Sequence, residues 1–512
     1  MTHRTLLPLC ASAALIATLT LADGCARRAQ PDRRGASTSE LASVLDEGAP
    51  VIILDGDTKE WPEGVVAAAD EHDLYLRFAI QDAPTTLQAS PRTTAILLDT
   101  DADASTGRRP AGAPGLDSLG VDLEVRLSPK REDGRPGRGC AMFIIGADGD
   151  GRKVDPYDWD FSFSPTYASE WYEARLSRTP AGPAPAAPGG LLAEGRVRGS
   201  VVICDDAGNI DMASEPFETA TPAPCRPDVR KSIVGIPPKR AGAIRVVSWN
   251  VLRTTPTQKP EVFARVLRAL KPDVVLVQEW EADSSEQLAR WFATHLSDLG
   301  SWDAVAEAGT VQEGAGVGVV SLFPAEPLRD GPVTLSAESG GAPGKRVRAA
   351  LARVSTPWGD AAFASVHLKS GGSAGSDEDV LRVHEANAIN AALSSAGLPR
   401  IVAGDYNLVG SRAPLDTLVR GQDGDGSDLG IAHPETLGDR TYITWAERGN
   451  VFTPGRLDWL VFSDTHLRAR RAFVLDTSRL REETLAKFGL TPADCAGASD
   501  HLPVVVDLER VE

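Results

Sequence analysis

Apolar and polar positions follow three regimes along the chain. A nearly unbroken apolar run over residues 6–22 follows His3 and Arg4 and closes on Ala22-Asp23-Gly24-Cys25. This reads as an export signal rather than as fold material, because the run is short for a stable membrane span. From residue 51 to about 217, short apolar runs at 74–80, 95–98, 121–127 and 197–203 alternate with Gly/Asp/Pro clusters. Such spacing predicts a β-sandwich, with the Pro/Ala/Gly stretch 180–190 as a surface loop. Residues 219–242 carry five prolines and no sustained period, the pattern of a linker. The grammar then changes to strand, helix, strand: 244–250, 261–270 and 273–279. Further strands are predicted at 317–323, 348–354, 361–368, 400–404, 457–462 and 503–508, with a helix over 377–395. That alternation is α/β in character.

A chain of 512 residues is too long for one ordinary core, so the expected organisation is an all-β sandwich followed by an α/β domain. The boundaries are 1–25 for the signal, 26–48 for a polar and basic tether, 49–218 for the sandwich, 219–242 for the linker and 243–512 for the α/β domain. Apolar content of 42% and charged content of 24% fit globular domains. The net charge of −18 comes without a Lys/Arg block, so any nucleic-acid binding must rest on local positive charge. Six cysteines are too few for a disulfide scaffold, and no C-x-x-C spacing suggests zinc. In an exported protein some of Cys140, Cys204, Cys225 and Cys495 could pair, with no connectivity fixed. Gly24 before Cys25 resembles the lipobox of bacterial lipoproteins, which implies cleavage before Cys25, acylation of its thiol and a lipid-anchored envelope protein; an ordinary cleaved signal or an uncleaved anchor is the alternative.

Polar residues gather at the ends of the predicted α/β strands, where a sheet presents functional groups to solvent. Ser248-Trp249-Asn250 and Gln278-Glu279 follow the first two strands. A Glu at the end of an apolar strand sits at the wet rim or ligates a cation. His367 closes a third strand in Val366-His367-Leu368-Lys369, and taken singly a structural histidine is the blander reading. Asp405 and Asn407 in Gly404-Asp405-Tyr406-Asn407 would lie on the same side of an extended chain, a turn being the blander reading. Arg456-Leu457-Asp458-Trp459 opens a strand, and Ser499-Asp500-His501 precedes the last one.

Together and in this order, these motifs resemble the endonuclease/exonuclease/phosphatase superfamily over residues 244–508. The resemblance implies a four-layer αββα sandwich with its site along one edge. It also implies a divalent-metal-dependent phosphoesterase, in which Glu279 is the primary metal ligand, Asn250 contacts metal or phosphate oxygen, and Asp500 is a further metal-side carboxylate. Asp405 would orient or deprotonate the attacking water, and Asn407 would hydrogen-bond the phosphoryl group. Asp458 would pair with His501, and His367 and His501 would donate to the developing negative charge. The cation would be Mg²⁺ or Mn²⁺, since oxygen ligands without Cys suit a hard ion. Substrate choice would lie in the loops 371–379 and 410–440.

Gly455 and Leu252 stand where abasic-site endonucleases show Trp and an acid, and 453–458 lacks the inositol-phosphatase element. The setting of His367 looks more like the secreted nuclease and sphingomyelinase branches. In the first domain, Leu54-Asp55-Gly56-Asp57, Glu60-Trp61-Pro62 and Asp73-Leu74-Tyr75-Leu76 resemble carbohydrate-binding module family 9, which implies a glycan or cell-envelope partner. Asp99, Asp101 and Asp103 alternate before Gly107 and could chelate Ca²⁺, a solvated acidic turn being the equal alternative. The expectation is an exported phosphodiesterase acting on a phosphoester, DNA or RNA among the candidates. A phospholipid or phosphomonoester hydrolase and a non-catalytic envelope binding protein are the alternatives.

Overall fold

A computed structural model describes residues 52–511, apart from 71, 80–83, 112–114, 132, 147, 182–195, 206, 220–234, 282–283 and 310–315. The signal, Cys25, the tether, Cys225 and most of the predicted 180–190 loop lie outside the described residues.

The first domain is the expected all-β sandwich. Strands Ala67–Ala69, Asp73–Ala79, Trp171–Ser177 and Ser162–Ser164 form one antiparallel sheet in that spatial order. The facing sheet is ordered Ile210–Ala213, Arg198–Cys204, Thr94–Asp99, Leu123–Leu127, Cys140–Ile145 and Gly151–Val154, with Phe217–Glu218 added to the Arg198 strand. Alternation places Leu74, Leu76, Tyr172 and Leu176 from one sheet against Ile96, Leu98, Val125 and Met142 from the other in a single core. Cys140, Cys204 and Cys495 are free thiols, so no disulfide forms among the described cysteines.

Two more sheets make the second domain. One runs Asp303–Glu307, Gly316–Ser321, Val274–Trp280, Ile244–Arg253, Val504–Arg510, Leu467–Val474 and Glu435–Thr436. The other runs Ala325–Pro327, Ala349–Thr356, Gly359–His367, Arg400–Asp405, Asp458–Phe462 and Gly430–Ile431. The period of two in the second sheet explains the layering. Ala350, Ala352, Phe363, Ile401, Ala403 and Leu460 face the core shared with Val246, Val274 and Val319 of the first sheet. Their neighbours Leu351, Ala364, Val402 and Val461 face outward, against Ile389 and Leu393 of helix Asp377–Ser394 and Leu415 and Leu418 of helix Ala413–Val419. With both faces covered, the central strands read as continuous apolar runs. The result is the αββα sandwich expected from the resemblance. Of the 219–242 segment, residues 219 and 235–242 are described: Ile236 enters the second domain's core, and Lys239 pairs with Asp273 at 2.6 Å.

The sandwich packs directly on the α/β domain. Arg175 and Asp439 form an ion pair across the boundary, both almost fully buried. Arg479 grips both carboxylate oxygens of Asp160 at 2.8 and 2.6 Å. Gln88 and Thr453 exchange two hydrogen bonds, of 3.1 and 2.9 Å, and Cys140 N–H donates to the Val451 carbonyl at 2.7 Å. Gly139 makes that approach feasible, since a Cβ there would lie 2.1 Å from the Val451 oxygen.

Candidate active site

The strand register builds the site. Asn250 lies beside Gln278 in the first sheet; in the second, His367 pairs with Asp405 and Asp405 with Asp458. The two rows end at the same rim. Asn250 Nδ2 lies 3.4 Å from Glu279 Oε1 and 3.2 Å from Asp405 Oδ2, so one amide group ties the two carboxylates together. His367 Nε2 stands 3.8 Å from Glu279 Oε1 and 3.4 Å from Asp405 Oδ2. His501 Nε2 reaches Asp405 Oδ2 at 3.7 Å. Thus Asn250, Glu279, His367, Asp405, His501 and, behind it, Asp458 are brought together from distant stretches of sequence.

Glu279 reaches the rim through a bulge. Gln278 pairs with Val317 and Trp280 with Gly316, leaving Glu279 without a partner, at φ 58°. A left-handed conformation costs a non-Gly residue about 1–2 kcal/mol, and such strain concentrates where a side chain must be aimed. Leu252 and Arg253 are also left-handed, at φ 53° and 61°, beside the register shift that follows Asn250.

The two histidines differ in state. Arg348 Nη1 lies 2.9 Å from His367 Nδ1, and since a guanidinium only donates, Nδ1 accepts and the ring proton sits on Nε2, facing the carboxylates. Burial, with Arg348 and His501 adding to it, holds His367 well below the usual histidine range, so it is neutral. His501 Nδ1 pairs with Asp458 Oδ2 at 2.8 Å. Burial opposes its charge, but Asp458 and then Asp405 outweigh that and hold the imidazole up to about 10. Burial also raises Asp405, against the pull of His501, to about 7.

Two predicted residues are turned elsewhere. The strand stops at Asp405, so Asn407 is not on an extended chain beside it. It takes φ 49°, its N–H donates to Asp405 Oδ1 at 2.9 Å, and its side chain donates to the Leu368 carbonyl at 3.2 Å. Asp500 accepts from Trp445 Nε1 at 3.0 Å and adds to the field that keeps His501 charged. In the sandwich, Asp99 and Asp101 meet Asp122, not Asp103, to form the group of carboxylates that could hold a cation. Asp103 is engaged by Ser105, at 2.8 Å from its N–H and 2.6 Å from its hydroxyl. The spacing misled because Asp122 approaches from the start of the paired strand, 23 residues beyond Asp99.

Sequence reasoning missed Arg348, the partner of His367. Its only signal is register: Ala349 pairs with Val366, which sets the preceding residue opposite His367. Sequence reasoning named Trp249 within a motif but gave it no role, whereas its Nε1 donates to the His501 carbonyl at 2.9 Å, and it missed Thr444, whose hydroxyl accepts from the Leu457 and Asp458 amides at 2.9 Å each.

Residues 247–501 match the family described as Endonuclease/Exonuclease/phosphatase. The C-terminal half belongs to this family. The fold above is that of an endonuclease/exonuclease/phosphatase domain, a family of nuclease- and phosphatase-type hydrolases. No curated protein matches the chain. Similar solved structures include the human nocturnin catalytic domain with bound sulfate, at 19% identity over 54% of this chain and 97% of that one, with TM-score 0.36. A Neisseria 3′ phosphatase bound to a product DNA hairpin gives 18%, 52%, 98% and 0.36. A mannosyl-6-phosphatase of Bacteroides thetaiotaomicron gives 18%, 52%, 99% and 0.35.

The donors fit the divalent cation that this family commonly uses. Glu279 and Asp405 offer hard oxygens beside the Asn250 amide, no Cys lies among them, and among the described residues the cation paired with Glu279 is the exposed Arg253 at 3.8 Å.

Proposed function

We propose that the protein is an exported, divalent-metal-dependent phosphodiesterase of nuclease type, using Mg²⁺ or Mn²⁺ held by Glu279 with Asn250. The observation that carries this reading is the convergence of Glu279, Asn250 and Asp405 with one neutral and one charged imidazole. Charge complementarity supports it: Asp405 is a base poised near neutral pH, flanked by two N–H donors for an anionic phosphoryl group. When bound, the cation supplies positive charge against the phosphate oxygens and favours ionisation of water.

The chain's own residues do the rest. Asp405 takes the proton of the attacking water as its oxygen bonds to phosphorus and the ester P–O bond breaks. The neutral His367 Nε2–H donates to a non-bridging oxygen as charge builds on it. Of the two imidazoles, only His501 holds a proton it can release, so it is the acid for the departing oxygen. Asp458 keeps that ring oriented. Arg253, more than half exposed beside Glu279, provides local positive charge in a chain of net charge −18. The lipobox-like Cys25 would fix the enzyme to the cell envelope, and a Ca²⁺ ion at Asp99, Asp101 and Asp122 would secure the sandwich.

The test is hydrolysis by the full chain of DNA, RNA, sphingomyelin, small phosphodiesters and phosphomonoesters with Mg²⁺ or Mn²⁺. Phosphodiester cleavage that Glu279→Gln and EDTA both abolish is expected. Cleavage of monoesters alone, or equal inactivity of wild type and His501→Ala on every substrate, would overturn the reading.

A further inference from the structure

The sandwich meets the catalytic domain at the segments that carry its motifs. Thr166 follows strand Ser162–Ser164, and its hydroxyl lies 2.7 Å from the Leu408 carbonyl and 3.2 Å from the Arg456 carbonyl. A hydroxyl has one proton, so Thr166 shares it between two acceptors. Leu408 directly follows Asn407, and Arg456 stands two residues before Asp458. On the inside, Tyr406 N–H donates to the Leu457 carbonyl at 2.9 Å, joining the same two segments. They are therefore bonded to each other by the catalytic domain and clasped from outside by the sandwich.

The close fit depends on Gly455. A Cβ at that position would lie 2.4 Å from Thr166 Cγ2, so any larger residue displaces the threonine. Here the sandwich fills the space beside Gly455. A second contact lies beside the first: Ala168 N–H and the Thr86 hydroxyl donate to the Gly410 carbonyl at 2.7 and 3.2 Å. Ala374 N–H donates to Thr86 Oγ1 at 3.0 Å. Sandwich residues thus hold both loops, 371–379 and 410–440, that flank the rim. The buried Arg175–Asp439 pair and the Gln88–Thr453 exchange fix the sandwich in this pose.

Resting on the phosphoesterase reading above, we propose that Thr166 is a positioning residue for the active site: it sets the distance between the Asp405–Asn407 loop and the segment that enters Asp458. The sandwich is thereby one wall of the catalytic unit. The Thr166 hydroxyl bonds main-chain carbonyls of these segments and not the catalytic side chains, so it acts through Asp405 and Asp458. The two acids sit opposite each other in paired strands, and His501 spans them, with Nδ1 on Asp458 and Nε2 toward Asp405. A change in the spacing of the segments therefore alters the alignment of base and imidazole without removing either.

The experiment uses the full chain with Thr166→Val, Thr166→Ser and Gly455→Ala. Valine keeps the shape and removes the proton; serine restores the proton; alanine at 455 pushes Thr166 away. Steady-state kinetics on the best substrate of the panel are expected to show kcat lowered about tenfold in Thr166→Val and Gly455→Ala, with KM within about twofold. Thr166→Ser should return to within about twofold of wild type. Amide hydrogen exchange is the second readout, made without substrate. Amides of 406–409 and 457 should exchange about tenfold faster in Thr166→Val and Gly455→Ala, and as wild type in Thr166→Ser. Wild-type exchange in Thr166→Val, or failure of serine to restore it, overturns the proposal. If the wild-type chain cleaves no substrate, the phosphoesterase reading fails and the exchange measurement alone decides the role of Thr166.

Discussion

His367 and His501 face one carboxylate, His367 from the end of a strand and His501 from the segment that enters another, yet one ring is neutral and the other charged. Both rings are buried, at 3% and 5% exposure, so depth does not separate them. Their Nε2 atoms stand 3.4 and 3.7 Å from Asp405 Oδ2, so the shared anion does not separate them either. What differs is the group behind Nδ1: a guanidinium behind His367 and a carboxylate behind His501. Burial alone favours a neutral ring, and Arg348 reinforces it; only an adjacent anion reverses the balance. One site thereby owns a fixed neutral donor and a charged donor that can also give up its proton.

The most damaging way to break this contrast is Asp458→Asn. The amide can still meet Nδ1 but no longer supports an imidazolium, so both the ring's charge and its tautomer are at risk. A fall in kcat of about 10³-fold is expected, as when the orienting acid behind a catalytic histidine is lost. In the metal-free protein, nitrogen NMR of the ring should show its protonation midpoint falling from about 10, while the His367 midpoint stays below the ordinary histidine value. An unchanged His501 midpoint would show that Asp458 is not the cause.

Arg348→Met tests the other side at smaller cost. It removes the cation behind His367 and leaves Nδ1 without its donor. The His367 midpoint should rise, though burial, the larger cause, keeps it below the ordinary value. Activity should fall about 10- to 100-fold, because the ring keeps its place in the strand but loses its fixed tautomer. A loss as large as that of Asp458→Asn would mean that both histidines depend equally on their partners.

Sequence made one half of this contrast legible and hid the other. Asp458 and His501 fall within separate short motifs at predicted strand ends, and the family resemblance joined them; the 2.8 Å pair follows. Arg348 opens an ordinary apolar strand, and only the antiparallel pairing of Ala349 with Val366 sets it against His367. The layers were legible for a related reason: buried central strands give continuous apolar runs, and the sandwich gives short ones between turns. The approach of the sandwich to the catalytic rim was not. It rests on the carbonyls of Leu408, Gly410 and Arg456, on glycines at 139 and 455, and on a salt bridge between residues 264 positions apart. Main-chain acceptors carry no sequence signature, and a lone Arg or Asp does not announce its partner.

The smallest expected effect sharpens the comparison through stability, since the two rings should tilt it in opposite directions with pH. His501 has a folded midpoint of about 10, above the ordinary 6.5, so the folded chain binds a proton that the unfolded chain has released between those values. Its contribution is complete below pH 6.5 and is lost as pH rises through about 10. His367 is shifted down, so between its folded midpoint and 6.5 the unfolded chain binds the extra proton. Its contribution is complete above pH 6.5 and is lost as pH falls below it. Thermal unfolding of the metal-free chain at pH 5, 7.5 and 9.5 separates the two. Relative to wild type, His367→Gln should gain a few degrees on going from pH 7.5 to 5. The double variant Asp458→Asn/His501→Gln should gain a few degrees on going from pH 7.5 to 9.5 instead. Using the double variant avoids leaving Asp458 buried as an unpaired anion, which would add a pH dependence of its own. Relative gains in the same direction of pH for both variants would mean that the groups behind Nδ1 do not set the two charge states.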